Sequence, residues 1–346
     1  MKPLIVPFFI SHQGCPHQCV FCDQERISGQ GGGLPEPAEM LAVIDRYAAS
    51  GGGRPLEAAF YGGTFTSLPR GDQERLLAPL QPLIATGWVA GVRLSTRPDA
   101  VDGEAVRFLR ARGVTTVELG VQSMADEVLA AAGRGHGAAQ VEEAFASLRG
   151  GGIAVGAQLM PGLPGDTAES ALASLDRVLA LSPAFVRIYP TVVVAGTRLA
   201  ELWRSGVYTP MGLDEAVSLC TAMLRRCRAA GVPVVRIGLQ PTEELERPGT
   251  ILAGPWHPAF RQLVEGELFY GLLERLAAGI PAGSHLEVSC SPRRQSDVAG
   301  QRRRNLARLR ERFGLAVTRV IGSDRLSTYD LEIHHAGGTV AGNALD

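Results

Sequence analysis

Short apolar runs alternate along the first two-thirds of the chain with segments whose apolar residues recur three and four apart. Leu4–Ile10 is an unbroken apolar run, as expected of a strand buried on both faces. Further strands are predicted at Leu56–Tyr61, Val92–Ser95, Thr115–Gly120, Ile153–Met160 and Phe185–Tyr189, with a last one at Val234–Ile237. Helical spacing lies between them. Pro37–Ala49 carries Met40, Leu41, Ile44 and Tyr47 on one face, and Asp72–Ile84 reads as a helix interrupted by prolines. Gly103–Arg112, Asp126–Ala131, Ala138–Leu148, Ala168–Leu181, Thr197–Ser205 and Leu213–Ala230 complete the set. Alternation of this kind demands a parallel sheet with right-handed crossovers. The pattern alone leaves a closed barrel, a partial barrel and an open sheet all open.

After Ile237 the rhythm changes. Pro241–Pro258 is rich in Pro, Gly and Glu, and Ala259–Leu276 is an amphipathic helix through Phe260, Leu263, Val264, Leu268, Leu272 and Leu276. A strand at His285–Ser289, a helix at Val298–Phe313 and strands at Ala316–Ile321 and Asp330–His334 make a small α+β unit. The expected division is therefore 1–240, a connecting segment 241–283, and a small basic domain 284–346.

At 346 residues the chain suits one large α/β domain plus a small one. Its net charge of −1 rules out a globally basic surface, so any nucleic-acid contact has to be local. The first apolar run is short, contains Pro7 and lacks a small-residue cleavage site, so it reads as a strand and not as a signal peptide. No apolar stretch approaches a membrane span, and a cytoplasmic, reducing setting is expected, in which thiols stay free. Cys220 and Cys227 share one face of a predicted helix and read as core.

The other chemistry-bearing cysteines lie in Gly14-Cys15-Pro16-His17-Gln18-Cys19-Val20-Phe21-Cys22. Three thiolates at CxxxCxxC spacing can converge on one centre if Gly14 and Pro16 turn the backbone tightly. Soft thiolates select zinc, Cu(I) or an iron–sulfur cluster. A zinc knuckle would need His12 or His17 as a fourth ligand, since no second cysteine pair is present. With Phe21 as the aromatic residue before the third cysteine, the stretch resembles the cluster loop of the radical S-adenosylmethionine (SAM) superfamily. That resemblance implies a [4Fe–4S] cluster on Cys15, Cys19 and Cys22 whose open iron chelates SAM, with Phe21 near the adenine. It also selects the partial (β/α)6 TIM-like barrel, with the chemistry at the C-terminal strand ends.

Those strand ends carry further resemblances. Tyr61-Gly62-Gly63-Thr64 is similar to the GGE-type motif whose backbone binds the SAM amino group, with Thr64 in place of the acid; by itself a Gly-Gly pair is a turn. Gln122 and Ser123 match a GxQS stretch that implies ribose contacts, although Ser123 also suits a helix cap. Arg134, in a GRxH segment, is implied to meet the SAM carboxylate, which a guanidinium matches bidentately. His136 suits either a cap or proton transfer, and Arg97 either a ligand or a pair with Asp99. Gln158 and Asp166 lie in a stretch similar to D-x-M-x-G-L-P-G-Q-T, and Tyr189 ends the strand implied to offer backbone groups to adenine.

Taken together, residues 3–240 look most like the radical SAM part of the Elongator catalytic subunit and, more distantly, the oxygen-independent coproporphyrinogen oxidases. The resemblance implies reductive cleavage of SAM to a 5′-deoxyadenosyl radical, fed by an electron donor such as flavodoxin or ferredoxin. No residue is assigned as a general base. RNA, with tRNA base modification in view, is the favoured substrate; a tetrapyrrole-like small molecule or a non-catalytic iron–sulfur module is the alternative. No acyl-CoA-binding glycine run is recognisable, so the acetyl-transfer half is expected to be missing. Between Arg293 and Arg312 lie eight arginines against Asp297 and Glu311. This segment resembles a degenerate KH module in which Arg303 replaces the second glycine of GxxG. Arg302, Arg303 and Arg304 are the expected RNA contacts; a solvated helix face is the simpler reading of the same charges.

Overall fold

The computed structural model describes residues 3–16, 18–29 and 32–346. His17, weighed above as a metal ligand, lies outside them. Two compact units are present: residues 1–211 with 232–256, and residues 212–231 with 257–346.

In the first unit, β1 (Leu4–Phe9), β2 (Leu56–Tyr61), β3 (Val89–Thr96), β4 (Val114–Gln122), β5 (Ala154–Leu159) and β6 (Phe185–Ile188) follow one another as neighbours in a parallel sheet. A two-residue strand, β7 (Val193–Val194), pairs antiparallel with β9 (Ile251–Ala253), and β8 (Val234–Ile237) completes the main sheet beside β6. The main sheet thus has seven parallel strands in the order β1-β2-β3-β4-β5-β6-β8, a curled half-barrel with β1 and β8 as its edges. Right-handed crossovers explain why sequence order and spatial order coincide. Register puts Phe8 beside Phe60, and the Phe8, Phe60 and Phe65 rings pack at 5.6 and 5.1 Å between successive centroids.

Two departures from the sequence pattern have local causes. The helix expected over Asp72–Ile84 is three pieces, Arg70–Leu77, a 3-10 turn Ala78–Leu80 and Gln81–Ala85, because Pro79 and Pro82 bring no N–H to the ladder. A short helix, Gln24–Ser28, follows the cysteine loop, capped by Asp23, whose carboxylate accepts the Arg26 N–H at 3.0 Å.

In the second unit, β10 (His285–Cys290) pairs parallel with β11 (Ala316–Gly322) and antiparallel with β12 (Asp330–His335), which pairs with β13 (Gly338–Asn343). The helices Leu213–Ala229 and Phe260–Ala277 belong to this unit, so the first of them parts from the barrel residues with which the sequence grouped it. Cys220 and Cys227 are fully buried on the former. The crossover from β10 to β11 is not one helix over Val298–Phe313 but Gln295–Ala299 and Arg304–Phe313. Gly300, at φ 73° and ψ 159°, breaks it, and Arg302 and Arg303 both take left-handed backbone angles in the turn. Strand β13 is glycine-rich and largely exposed, which is why no apolar alternation announced it.

Candidate functional site

The cysteine loop is locked to the loop after β2 by backbone contacts. His12, at φ 59°, donates its N–H to Gly62 O at 2.9 Å, and Thr64 donates its N–H to Gln13 O at 2.9 Å. A Cβ on Gly63 would sit 2.4 Å from Ile10 O and 2.5 Å from Gln13 O. A Cβ on Gly14, itself at φ 72°, would sit 2.3 Å from Thr64 O. The glycines therefore let two loops interlock. Farther along, Val20 N donates to Ala132 O at 3.1 Å and Leu199 N to Val20 O at 2.7 Å, which ties the loop to two helices. His12 does not face the cysteines as a spare ligand: its Nε2 accepts the Gln24 N–H at 2.8 Å and closes the loop from within. Phe21 is buried in an apolar cluster with Val128, Ala132, Leu163, Leu199 and Tyr208.

Each sulfur has a side-chain hydrogen-bond partner. Thr64 Oγ1 lies 3.3 Å from Cys15 Sγ, Gln24 Nε2 3.5 Å from Cys22 Sγ, and Arg134 Nη1 3.1 Å from Cys19 Sγ. Burial pushes the Cys22 thiol up to about 12, the neighbouring Cys19 and Cys15 raise it too, and the Gln24 hydrogen bond and Arg134 charge oppose them. A bound metal replaces that proton outright. Among the described residues no three His, Cys, Asp or Glu side chains are close enough to hold a single metal ion. A cluster makes a different demand: each thiolate binds its own iron, and hydrogen bonds to the sulfurs stabilise the assembly. Three soft sulfurs, each with a side-chain partner able to donate to a thiolate, fit that demand.

Arg134 is buried, and its Nη2 donates to Gly120 O at 2.6 Å. A Cβ on Gly120 would stand 3.0 Å from Gln122 Nε2 and 3.2 Å from Arg134 Nη2, so the Gln122 amide lies beside that guanidinium. Gln158 Nε2 donates to Gln122 Oε1 at 3.3 Å. Arg97 pairs with Asp99 through two 2.9 Å hydrogen bonds and donates to the Arg134 carbonyl. His136 does not cap the next helix; Asp126 does, its Oδ1 accepting the Ala138 N–H at 2.7 Å. The His136 ring is enclosed 3.8 Å from Asp99, and burial, with the Arg134 charge behind it, lowers it to about 4.

Ser123 stands apart from this group. Its hydroxyl accepts the Ala125 N–H at 3.2 Å and meets Ser174 Oγ at 3.2 Å, between the β4 end and the helix Ala168–Ala180. Asp166 holds its own loop, with Oδ2 accepting the Gly162 N–H at 2.9 Å, while Tyr208 donates its hydroxyl to Gly162 O at 2.6 Å. Arg302, Arg303 and Arg304 are exposed and lie in the second unit. Arg304 pairs with Asp214 at 3.0 Å; Arg302 and Arg303 form no ion pair among the described residues.

Sequence reasoning missed a charge network across β2, β3, β4 and β6. Arg93 bridges Glu57 at 2.9 Å and Glu118 at 3.0 Å, and Arg187 Nε lies 2.6 Å from Glu118. Tyr61 donates to Glu118 at 3.3 Å and Arg187 Nη1 to the Tyr189 hydroxyl at 3.2 Å. Burial first, then the Glu118 charge, raise Tyr61 well above the usual phenol range. The signal was one carboxylate or guanidinium inside each of four largely buried strands.

Comparisons with known proteins give the family of the chain. Residues 9–178 match the model of the radical SAM superfamily and residues 183–269 that of the Radical_SAM C-terminal domain. The chain belongs to the radical SAM superfamily of enzymes, a family whose members use SAM and an iron–sulfur cluster. It is 30% identical over 259 residues to a tRNA uridine(34) acetyltransferase of Dehalococcoides mccartyi, covering 64% of this chain and 55% of that protein. It is 28% identical over 257 residues to Elongator complex protein 3 of Saccharomyces cerevisiae, covering 61% and 46%. The chain thus spans about half the length of these curated relatives. The archaeal Methanocaldococcus infernus Elp3 structure superposes with a TM-score of 0.60 at 24% identity, over 79% of this chain and 62% of that one, a likeness of fold.

Proposed function

We propose that the chain is a radical SAM enzyme acting on RNA, with a tRNA base as its substrate. The observation that carries the cofactor half of this reading is the set of three thiols, Cys15, Cys19 and Cys22, each hydrogen-bonded to a side chain of its own. They would hold a [4Fe–4S] cluster by three ligands. Bound there, the cluster would supply one-electron reductive cleavage of SAM, with the electron coming from a flavodoxin- or ferredoxin-like donor.

The chain's own residues hold and enclose the cofactor. Backbone groups of Gly62, Gly63 and Thr64 would meet the SAM amino group, Gln122 and Gln158 the ribose, and Tyr189 the adenine edge, with Phe21 walling the site. Arg134, already beside Gln122, would reach the carboxylate from there. Ser123 supports this wall through Ser174. The paired charges Glu57, Arg93, Glu118 and Arg187 keep the strands in place without leaving a net charge.

The RNA half rests on the names of the relatives and on Arg302 and Arg303, exposed and without ion pairs among the described residues, in a turn between two helices. Arg304, engaged with Asp214, would contribute less than the sequence suggested. The test is the nucleoside profile of total tRNA from cells with and without the gene. A modified nucleoside that disappears with the gene supports the reading; identical profiles contradict the RNA substrate while leaving the cofactor chemistry standing.

A further inference from the structure

The three candidate ligand sulfurs are not treated alike. Cys15 meets a neutral hydroxyl, Thr64, at 3.3 Å, and Cys22 a neutral amide, Gln24, at 3.5 Å. Cys19 meets two guanidinium groups, with Arg134 Nη1 at 3.1 Å and Arg97 Nη1 at 4.0 Å. Both arginines are buried, at 6% and 4% exposure. Both are also fixed by partners other than the sulfur: Arg134 by the Gly120 carbonyl at 2.6 Å, Arg97 by the two oxygens of Asp99 and by the Arg134 carbonyl. Their charges differ in one respect. Asp99 neutralises Arg97, whereas among the described residues no carboxylate pairs with Arg134. A full positive charge, screened little by solvent, therefore faces one sulfur of the three.

A cation or hydrogen bond at a ligating sulfur stabilises the reduced, more negative state of an iron–sulfur cluster and raises its potential. We propose that Arg134 is a positioning residue that sets the reduction potential of the bound cluster through Cys19, with Arg97 held beside it and its charge muted by Asp99. This rests on the cluster reading above. It differs from the role implied by family resemblance, in which Arg134 serves the SAM carboxylate, because the effect exists with no SAM bound.

The test is a redox titration of the anaerobically reconstituted full chain in the absence of SAM, followed by the electron paramagnetic resonance signal of the reduced cluster. Arg134→Gln keeps polarity and removes charge, and is expected to move the midpoint to more negative potential, so that less cluster is reduced at a fixed solution potential. Arg134→Lys is expected to return most of the shift. Asp99→Asn, which uncovers the Arg97 charge, is expected to move the midpoint the opposite way, a sign that general loosening of the site would not produce. Thr64→Val, at Cys15, is expected to shift it less than Arg134→Gln. A wild-type midpoint in Arg134→Gln at wild-type iron and sulfide content overturns the inference, even if SAM affinity falls. If Arg134→Gln takes up no iron, Asp99→Asn decides: a midpoint that stays put or moves negative overturns it. Absence of a reducible cluster in the wild-type chain would overturn the cluster reading itself, and is seen before any variant is made.

Discussion

At Gly63 a single hydrogen atom in place of a side chain lets two loops meet. The sequence resemblance makes this glycine a ligand contact, but its Cβ position is occupied by the Ile10 and Gln13 carbonyls at 2.4 and 2.5 Å. Gly63→Val is therefore expected to push the cysteine loop off its seat and destabilise the first unit by about 1–3 kcal/mol, the scale of overpacking. Chemical denaturation of the metal-free protein measures it. Wild-type stability with weakened SAM binding alone would return the residue to a purely ligand-facing role. The cysteines could be proposed as ligands from the sequence because three thiols and an aromatic residue stand there at fixed spacing. The reason for the glycine was not legible, because which carbonyls stand opposite it depends on strands fifty residues apart in the chain.

Among the elements, the parallel sheet was readable from its apolar runs, and the charges within those runs were not assigned. Glu57, Arg93, Glu118 and Arg187 reach one another only because parallel register sets Arg93 beside Thr116 and Ser95 beside Glu118 on adjacent strands. Nothing local encodes that register. Arg93→Leu strands the buried Glu57, leaves Glu118 to Arg187 alone, and is expected to cost about 3–5 kcal/mol, the scale for breaking a buried pair from one side. Urea unfolding of Arg93→Leu against Arg93→Lys checks it; equal stability of the two would mean that the network contributes nothing. His136 supplies a pH-dependent counterpart. Its folded value, about 4, lies below the ordinary 6.5, so the folded state favours the neutral ring. Its contribution is present above pH 6.5 and is lost as pH falls toward 4, on the order of 1–3 kcal/mol. His136→Phe is expected to flatten the stability profile between pH 6.5 and 4. An unchanged slope there would show that the ring is free to take up its proton.

On the scale of the whole molecule, the sequence foresaw the barrel strands and a basic tail, but it placed the helix Leu213–Ala229 with the barrel. An apolar helix face does not say which neighbour it will cover, and here Thr221 donates its hydroxyl to Val264 O at 3.3 Å, within the second unit. The tail's arginines also sort by partner. Arg294, Arg304, Arg308 and Arg312 are each taken by an acid, whereas Arg302 and Arg303 pair with no acid of the described residues. The double substitution Arg302→Glu and Arg303→Glu is expected to abolish salt-sensitive tRNA binding, whereas Arg304→Glu weakens it much less. Each lost phosphate contact lowers the salt slope by about 1. Equal losses from all three positions would point to diffuse charge and not to the turn.

The central claim is that Cys15, Cys19 and Cys22 hold a cluster that cleaves SAM. The most direct measurement is 5′-deoxyadenosine formation by the anaerobically reconstituted chain with SAM and a strong reductant, beside Cys19→Ala. The wild type is expected to bind iron and sulfide and to release 5′-deoxyadenosine, and Cys19→Ala to stay folded and release none. Stoichiometric zinc in place of iron, or product formation that survives Cys19→Ala, would contradict it.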